Sequence, residues 1–271
     1  MKHTWRLIVD GPMSGARNMA KDEALLKAVQ QGLASVTVRF YRWAPATVSL
    51  GYFQAAEDVD REAIGRLGLG LVRRPTGGRA ILHDDELTYS IVAPGEAIPG
   101  GRNIGRSYLS ISEALMRGLE ILGIEASVGD EKATRDNSPA ACFALSTRAD
   151  LTARGQKVIG SAQMRREGFI LQHGSIPVAL DLGKHAAVFG AVSGAEKAAE
   201  QLAAKASGVA GLIGRRPSWE EMERAFALGF AEVFHARMEA GEMTAAEKAE
   251  AEKLEAEKYG TEEFTVRAPN R

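Results

Sequence analysis

The stretch ACFALSTRADLTARGQKVIGSAQ, residues 141–163, holds the chain's one cysteine, Cys142, and places Lys157 downstream of it in a glycine-flanked run. A thiol acts as a nucleophile in its thiolate form, and a nearby cation lowers its pKa from about 8.5 by favouring that charged form. Lys157, between Gly155 and Gly160, can supply the cation. Each residue also has a plain structural reading: a lone cysteine is commonly a small buried apolar side chain, and a lysine here can be a solvated strand end. A second stretch, RRPTGGRAILHDDELTYS, covers residues 73–90. Gly77 and Gly78 permit positive φ and close approach of a ligand, so their amides can hold a carbonyl, carboxylate or phosphate oxygen; a simple hairpin turn fits them equally. His83 reads as a general base, a substrate contact or a satisfied strand histidine. The phosphate-loop pattern GxxxxGK[ST] is absent, GGRNIGRS (100–107) lacks its lysine, and no His/Cys/Asp group has metal-ligand spacing.

These residues need a scaffold, and the periodicities supply one. NMAKDEALLKAVQQG (18–32) puts Met19, Leu25, Leu26 and Val29 near one helical face, with Gly32 as a stop. SVTVRFYRW and ATVSLGYFQ, separated around Pro45, are rich in β-branched and aromatic residues and read as strands. LGLVRRPTGGRAILHDDELTYSIVAP reads as strand, tight loop, strand. SYLSISEALMRGLEILGI carries Ile111, Leu115, Leu119 and Leu122 at helical spacing, and Ser110 with Glu113 matches a capping box. KVIGSAQMRREGFILQHGSIPVAL predicts an antiparallel hairpin turning at RREG. Ser218 with Glu221 and Thr244 with Glu247 predict two further helix starts, and the Ala/Glu/Lys-rich tail from Glu239 to Lys258 predicts a solvated helix packed at one edge. Strands and helices mix without βαβ alternation, which favours an α+β fold.

The chain has 271 residues, 45% hydrophobic and 25% charged, enough for a sizeable core. Lys+Arg 34 against Asp+Glu 35 leaves a net charge of -1, so no global field draws the protein to nucleic acid or an anionic membrane. One cysteine cannot make an internal disulfide, which fits a reducing compartment. No leader pattern and no run of roughly 18 apolar residues is visible, and a cytoplasmic location is expected.

VRRPTGGRAILHDDELTYSIV, then ACF ahead of GQKVIGSAQMRREGFILQHGSIP, closely resemble the biotin/lipoate protein ligase superfamily. Within it they are most similar to the cysteine-dependent octanoyltransferases of the LipM type. The resemblance begins at TWRLIVDG and NMAKDEALL, passes through RFYRWAPATVSLGYFQ, and returns as EKLEAEKYGTEEF, so it covers nearly the whole chain in order. It implies an α+β biotin/lipoate protein ligase-like catalytic domain over residues 1–271, with a mixed, largely antiparallel sheet flanked by helices and a helical C-terminal extension at about 240–271. It also implies transfer of octanoate from acyl carrier protein to a lysine of the glycine cleavage H protein or another lipoyl domain, without ATP, metal or other cofactor.

Carried over by motif, Cys142 is the expected acyl-thioester nucleophile and Lys157 the residue that lowers its pKa. Arg73, Arg74, Thr76, Gly77, Gly78, His83, Gly160, Ser161 and Gln163 are the expected substrate-binding set. Acidic partner proteins would dock on local positive charge, for which Arg73, Arg74, Arg79, Arg102, Arg106, Arg165 and Arg166 are candidates, and Val72, Ile81, Leu82, Val158 and Ile159 are candidate walls of an acyl tunnel. The ligase branch has a third glycine after TGG and a GN pair after HD; here Arg79 and Asp85–Glu86 stand there, which weakens an ATP-dependent ligase reading. Phe264 stands where the family has tryptophan after KY. Three alternatives remain: an octanoyl-[H protein]:protein amidotransferase, an ATP-dependent lipoate-protein ligase, and an acyl-carrier or lipoyl-domain binding protein with an inert thiol.

Overall fold

The computed structural model describes residues 3–129 and 150–267. The chain opens with β1 (Thr4–Met13), α1 (Gly15–Gln30), β2 (Thr37–Trp43), β3 (Thr47–Leu50), α2 (Arg61–Arg66), β4 (Gly70–Arg73), β5 (Ile81–His83) and β6 (Glu86–Pro94). Helix α3 (Ile104–Ile121), β7 (Ser127–Val128), β8 (Leu151–Ala153), β9 (Gln156–Arg166) and β10 (Phe169–Pro177) follow. The last part holds α4 (Leu182–Ser193), α5 (Ala195–Lys205), α6 (Val209–Ile213), α7 (Trp219–Val233), β11 (Arg237–Ala240), α8 (Ala245–Leu254), a π-helical turn (Glu255–Tyr259) and α9 (Glu262–Val266).

Eight strands form one sheet in the order β11-β1-β2-β6-β10-β9-β8-β7, and β4-β3-β5 form a second. In the large sheet β1 pairs parallel with β11 and β2, while the remaining neighbours are antiparallel, so the sheet is mixed and mainly antiparallel as expected. Alternation along a strand sends successive side chains to opposite faces. On β2, Val38 and Phe40 point into the core beneath α3 and α7, with Ile111, Leu115, Phe226 and Phe230. Tyr41 and Trp43 join the opposite core under α1, with Met19, Leu25 and Leu26. Val48, Leu50, Val188 and Phe189 form a third core between the small sheet and α4.

The hairpin of β9 and β10 forms as the sequence predicts, with Arg166 opposite Phe169 and the pairing running to Gly160–Ser175. Ser218 caps α7, and Thr244 with Glu247 closes a reciprocal capping box on α8. Two expectations are corrected. Helix α3 starts at Ile104 rather than after Ser110: Asn103 accepts from the Arg106 amide as cap, and the Ser110 hydroxyl instead bonds the Pro99 carbonyl. The asparagine side-chain carbonyl offers a capping acceptor two turns earlier, and the helix takes it. The tail is also not one helix from Glu239, because Glu239 and Ala240 lie in β11 beside Arg6 and Leu7. Helix α8 buries Glu247, Ala251 and Leu254 against α1, and three ion pairs from Arg6, Arg17 and Lys27 to Glu247, Glu255 and Glu250 fasten the tail.

Candidate active site

A cavity of about 280 Å³ opens between β9, β10 and the loop that follows β4. Its walls include Met19, Tyr41 and Trp43 from α1 and β2, Arg74, Gly77, Gly78 and Arg79 from the loop, and Lys157, Gly160, Ser161 and Gln163 from β9. The volume falls just under the roughly 300–1,000 Å³ usual for small-ligand sites.

At one end Lys157 Nζ lies 2.9 Å from Asp150 Oδ1, both side chains only 3% exposed. A desolvated ammonium in the wall of a mainly apolar cavity stabilises an adjacent anion far more than it would in water. Cys142 lies outside the described residues; the segment that carries it leads in sequence straight into Asp150.

The loop is fixed from several sides. Arg74 bonds the carbonyls of Ser49, Gly77 and Arg79. Gly78 has φ +93°, the left-handed region that a side chain disfavours. Thr76 is not in the cavity wall; its hydroxyl bonds Nε2 of His173 at 2.7 Å, and His173 Nδ1 meets Asp22 Oδ2 at 3.1 Å. Burial pushes His173 below its ordinary pKa against the raising effect of Asp22, so the ring is neutral near pH 7. Burial alone would raise the Asp22 carboxyl, but His173, Arg39 and Ser90 together hold it below the usual carboxylate value. With Asp22 ionised, Nδ1–H donates to it and Nε2 accepts the Thr76 proton.

His83 sits at the far end, stacked on Trp43 at 4.1 Å, with Nε2 2.8 Å from the Ser49 hydroxyl and Nδ1 2.8 Å from Glu86. Glu86 also accepts from Thr88 and Ser175. The floor is therefore polar in composition but internally paired, and it presents little unsatisfied polarity to an alkyl chain.

Gly174 on β10 permits a close approach of strand and ring. A Cβ there would come within 2.5 Å of the Gly160 carbonyl, 2.6 Å of the Tyr89 ring and 2.9 Å of the Ser161 hydroxyl. Tyr89, whose phenol is pushed up to about 12 by burial, bonds Ser161 at 2.7 Å and Gln172 at 2.8 Å, and Gln172 bonds Gln163 at 2.8 Å.

Of the expected substrate-binding residues, Arg74, Gly77, Gly78, His83, Gly160, Ser161 and Gln163 converge on the cavity with Lys157. Arg73 does not line it: at the last position of β4 its guanidinium turns away from the cavity and is buried among carbonyls of other segments, while Arg74 opens the loop that follows. Among the candidate tunnel walls only Ile81 lines this cavity; Val72, Val158 and Ile159 are ordinary core, and Leu82 packs at a separate, smaller pocket. Asp22, Tyr108, Asp150 and His173 carry no motif that sequence reasoning singled out. Among the described residues no group of three or more His, Cys, Asp or Glu is placed to hold a metal ion, and no helix is long and apolar enough to cross a membrane.

Comparison with known proteins bears on this geometry. The chain is 42% identical over 243 residues to octanoyltransferase LipM of Carboxydothermus hydrogenoformans, covering 89% of this chain and 90% of that one. It is 44% identical over 249 residues to octanoyltransferase LipM of Kyrpidia tusciae, with the same coverage of 89% and 90%. Its fold matches the solved bi-partite lipoate protein ligase of Thermoplasma acidophilum with a TM-score of 0.83 and 28% identity, over 100% of this chain and 98% of that one. The model of the lipoyl protein ligase A/B catalytic domain matches residues 14–231, from the cap of α1 to the end of the α7 packing face. The chain belongs to the lipoyl protein ligase A/B catalytic domain family.

Proposed function

We propose that the protein is an octanoyltransferase of lipoate biosynthesis that moves the acyl group from octanoyl-acyl carrier protein, through a thioester on Cys142, to the amine of a lysine on a lipoyl domain such as the glycine cleavage H protein. The observation that carries the reading is the buried Lys157–Asp150 pair at the end of an acyl-sized cavity, in a chain about 40% identical to proteins named for this transfer. Under this proposal the reaction runs in the cytoplasm.

In the first half-reaction the Cys142 thiolate attacks the carrier's thioester carbonyl. The tetrahedral intermediate collapses with loss of the carrier's sulfur, which takes a proton from Lys157. One thioester replaces another, so no nucleotide is consumed and no metal is required. In the second half-reaction the acceptor amine attacks the Cys142 thioester, its proton passes to the now neutral Lys157, and the Cys142 thiolate leaves. The lysine is back in its starting charge state, and the amide formed drives the transfer forward. Acceptor amines are mostly protonated near neutral pH, with a reference pKa of about 10.4, so one proton goes to solvent before attack and the second, lost from the tetrahedral intermediate, is the one Lys157 takes as base. Gly77 and Gly78 line the same cavity, and in this mechanism their amides stabilise the oxyanion of both steps. Gly77→Val, placed where a Cβ would meet nothing within 4 Å, should slow both half-reactions, and full activity would remove the loop from the mechanism.

The deciding experiment is the intact mass of the chain after mixing with octanoyl-acyl carrier protein without ATP, in wild type and Cys142→Ser. One octanoyl group that hydroxylamine releases, present only in wild type, supports the thioester. No adduct, together with ATP-dependent modification of a lipoyl domain, would make the protein a ligase with a structural cysteine.

A further inference from the structure

Arg73 stands one residue from the cavity-lining Arg74, yet its side chain is wholly buried and bonds no carboxylate among the described residues. It gathers backbone carbonyls from two remote segments. Nη1 bonds those of Gly51 at 2.7 Å, Tyr52 at 3.1 Å and Gln54 at 2.6 Å. On the other side Nε bonds Phe264 at 3.0 Å, and Nη2 bonds Thr265 at 2.9 Å and Val266 at 3.4 Å. Burying a guanidinium is costly unless its donors are met, and six carbonyls meet them here. Removing either segment would leave part of a buried cation unsatisfied, so the two are coupled through it.

The first segment abuts the active-site loop. A Cβ on Gly51 would lie 1.8 Å from the Gly78 carbonyl, which places the two backbones in direct contact, and the Tyr52 amide donates to the Thr76 carbonyl at 2.9 Å. The second segment is α9, whose Phe264 ring packs on Tyr259 at 5.3 Å and Tyr52 at 6.3 Å. An unbroken chain of contacts therefore runs from the last helix through Arg73 to the backbone at Gly51 and Tyr52 and on to Thr76 and Gly78.

We propose that the C-terminal segment Thr261–Val266 is a working part of the active site: through Arg73, a positioning residue, it sets the place of the Thr76–Gly78 loop against the reacting acyl carbonyl. This rests on the octanoyl-transfer reading above. The physical reason for using arginine is its planar fork, which reaches both segments at once; lysine offers a single point charge and cannot.

The test uses two variants of the full chain, Arg73→Lys and a truncation after Gly260, with Phe264→Ala as a milder third should either fail to fold. Two rates at Cys142 are compared: acylation by octanoyl-acyl carrier protein, followed by intact mass, and alkylation by iodoacetamide. Acylation develops an oxyanion, whereas alkylation does not, so loop misplacement slows only the first. Acylation should fall by about 10²-fold, as a displacement near 1 Å can cost, with the carrier KM unchanged and alkylation within about twofold of wild type. Combining Arg73→Lys with the truncation should add little to either alone, because both break one latch. Acylation at the wild-type rate in both variants overturns the proposal, as does a parallel loss of acylation and alkylation, which would mark general support of the fold. If the wild type itself forms no octanoyl adduct, the octanoyl-transfer reading fails first, and that result is read separately.

Discussion

Lys157 and Asp150 are both nearly inaccessible to water, so each is expensive to keep charged without the other. Lys157→Met leaves a buried carboxylate without this partner and should cost about 3–5 kcal/mol of stability by denaturant titration. Replacing both, as Lys157→Met with Asp150→Asn, should recover most of that stability. It should not recover octanoyl transfer, which we expect to stay at least about 100-fold down because the proton relay is gone. Recovery of activity together with stability would reduce Lys157 to a structural role. His185 offers a pH test away from the site. Burial against Phe189 depresses its pKa to about 4, from an unfolded value near 6.5. Between those values the unfolded chain binds the extra proton, so stability rises with pH through this window and is lost as pH falls from about 6.5 to 4. Relative to His185→Leu, wild type should lose about 3 kcal/mol over that range. Parallel pH profiles for the two proteins would mean that the histidine is hydrated and titrates normally.

The β9–β10 hairpin and the loop after β4 are the elements that shape the cavity, and each is held by a contact that a small substitution would break. Gly174→Ala forces its methyl into the Gly160 carbonyl and the Tyr89 ring, so the strands must part. The cost should be roughly 2 kcal/mol, about 4–8 °C in Tm for a chain of this size. Thr76→Val deletes the bond to His173, leaves Nε2 without its donor and should cost about 1–3 kcal/mol; Thr76→Ser should restore it. Much of this architecture is legible in the sequence. Period-two runs around RREG mark the hairpin, and the Thr244–Glu247 spacing marks the start of α8. Local signals fail where two are in competition, as with Asn103 and Ser110 at the head of α3, or where adjacent residues of the same type part company, as Arg73 and Arg74 do at the end of β4. Asp22, Asp150 and His173 were illegible for a different reason. For Asp22 and His173 the meeting depends on strand order and register between segments 151 residues apart, which no short window carries, whereas Asp150 lies close in sequence to Lys157 and meets it through the β8–β9 pairing, which no motif marked.

Across the whole molecule a near-neutral net charge leaves partner docking to local patches, and the fold sorts the seven candidate arginines. Arg73 and Arg74 are buried in the scaffold, Arg79 is half-buried at the cavity, and Arg166 is drawn 3.5 Å from Glu23, which also holds Lys258 and Tyr259 of the tail. Arg102 and Arg106, exposed at the head of α3, and Arg165, half-buried near the end of β9, make no ion pair among the described residues. They surround two shallow surface hollows shared with Gly95 and Gly101, where Glu96 and Glu167 partly offset their charge. Arg165 lies two residues along β9 from Gln163 in the cavity wall, so the patch begins about 7 Å from the site. If an acidic carrier protein docks there, reversing Arg102 and Arg106 to Glu should raise its KM by roughly tenfold with kcat little changed, since rim charges act mainly on encounter. The same variant should lose most of the salt dependence, because its screened attraction is already gone. A small donor such as octanoyl-pantetheine, which carries no acidic surface, should be used equally well by both proteins. An unchanged carrier KM in the reversed variant would move the docking face elsewhere on the molecule, and a parallel loss with the small donor would mean that the arginines support the cavity rather than the encounter.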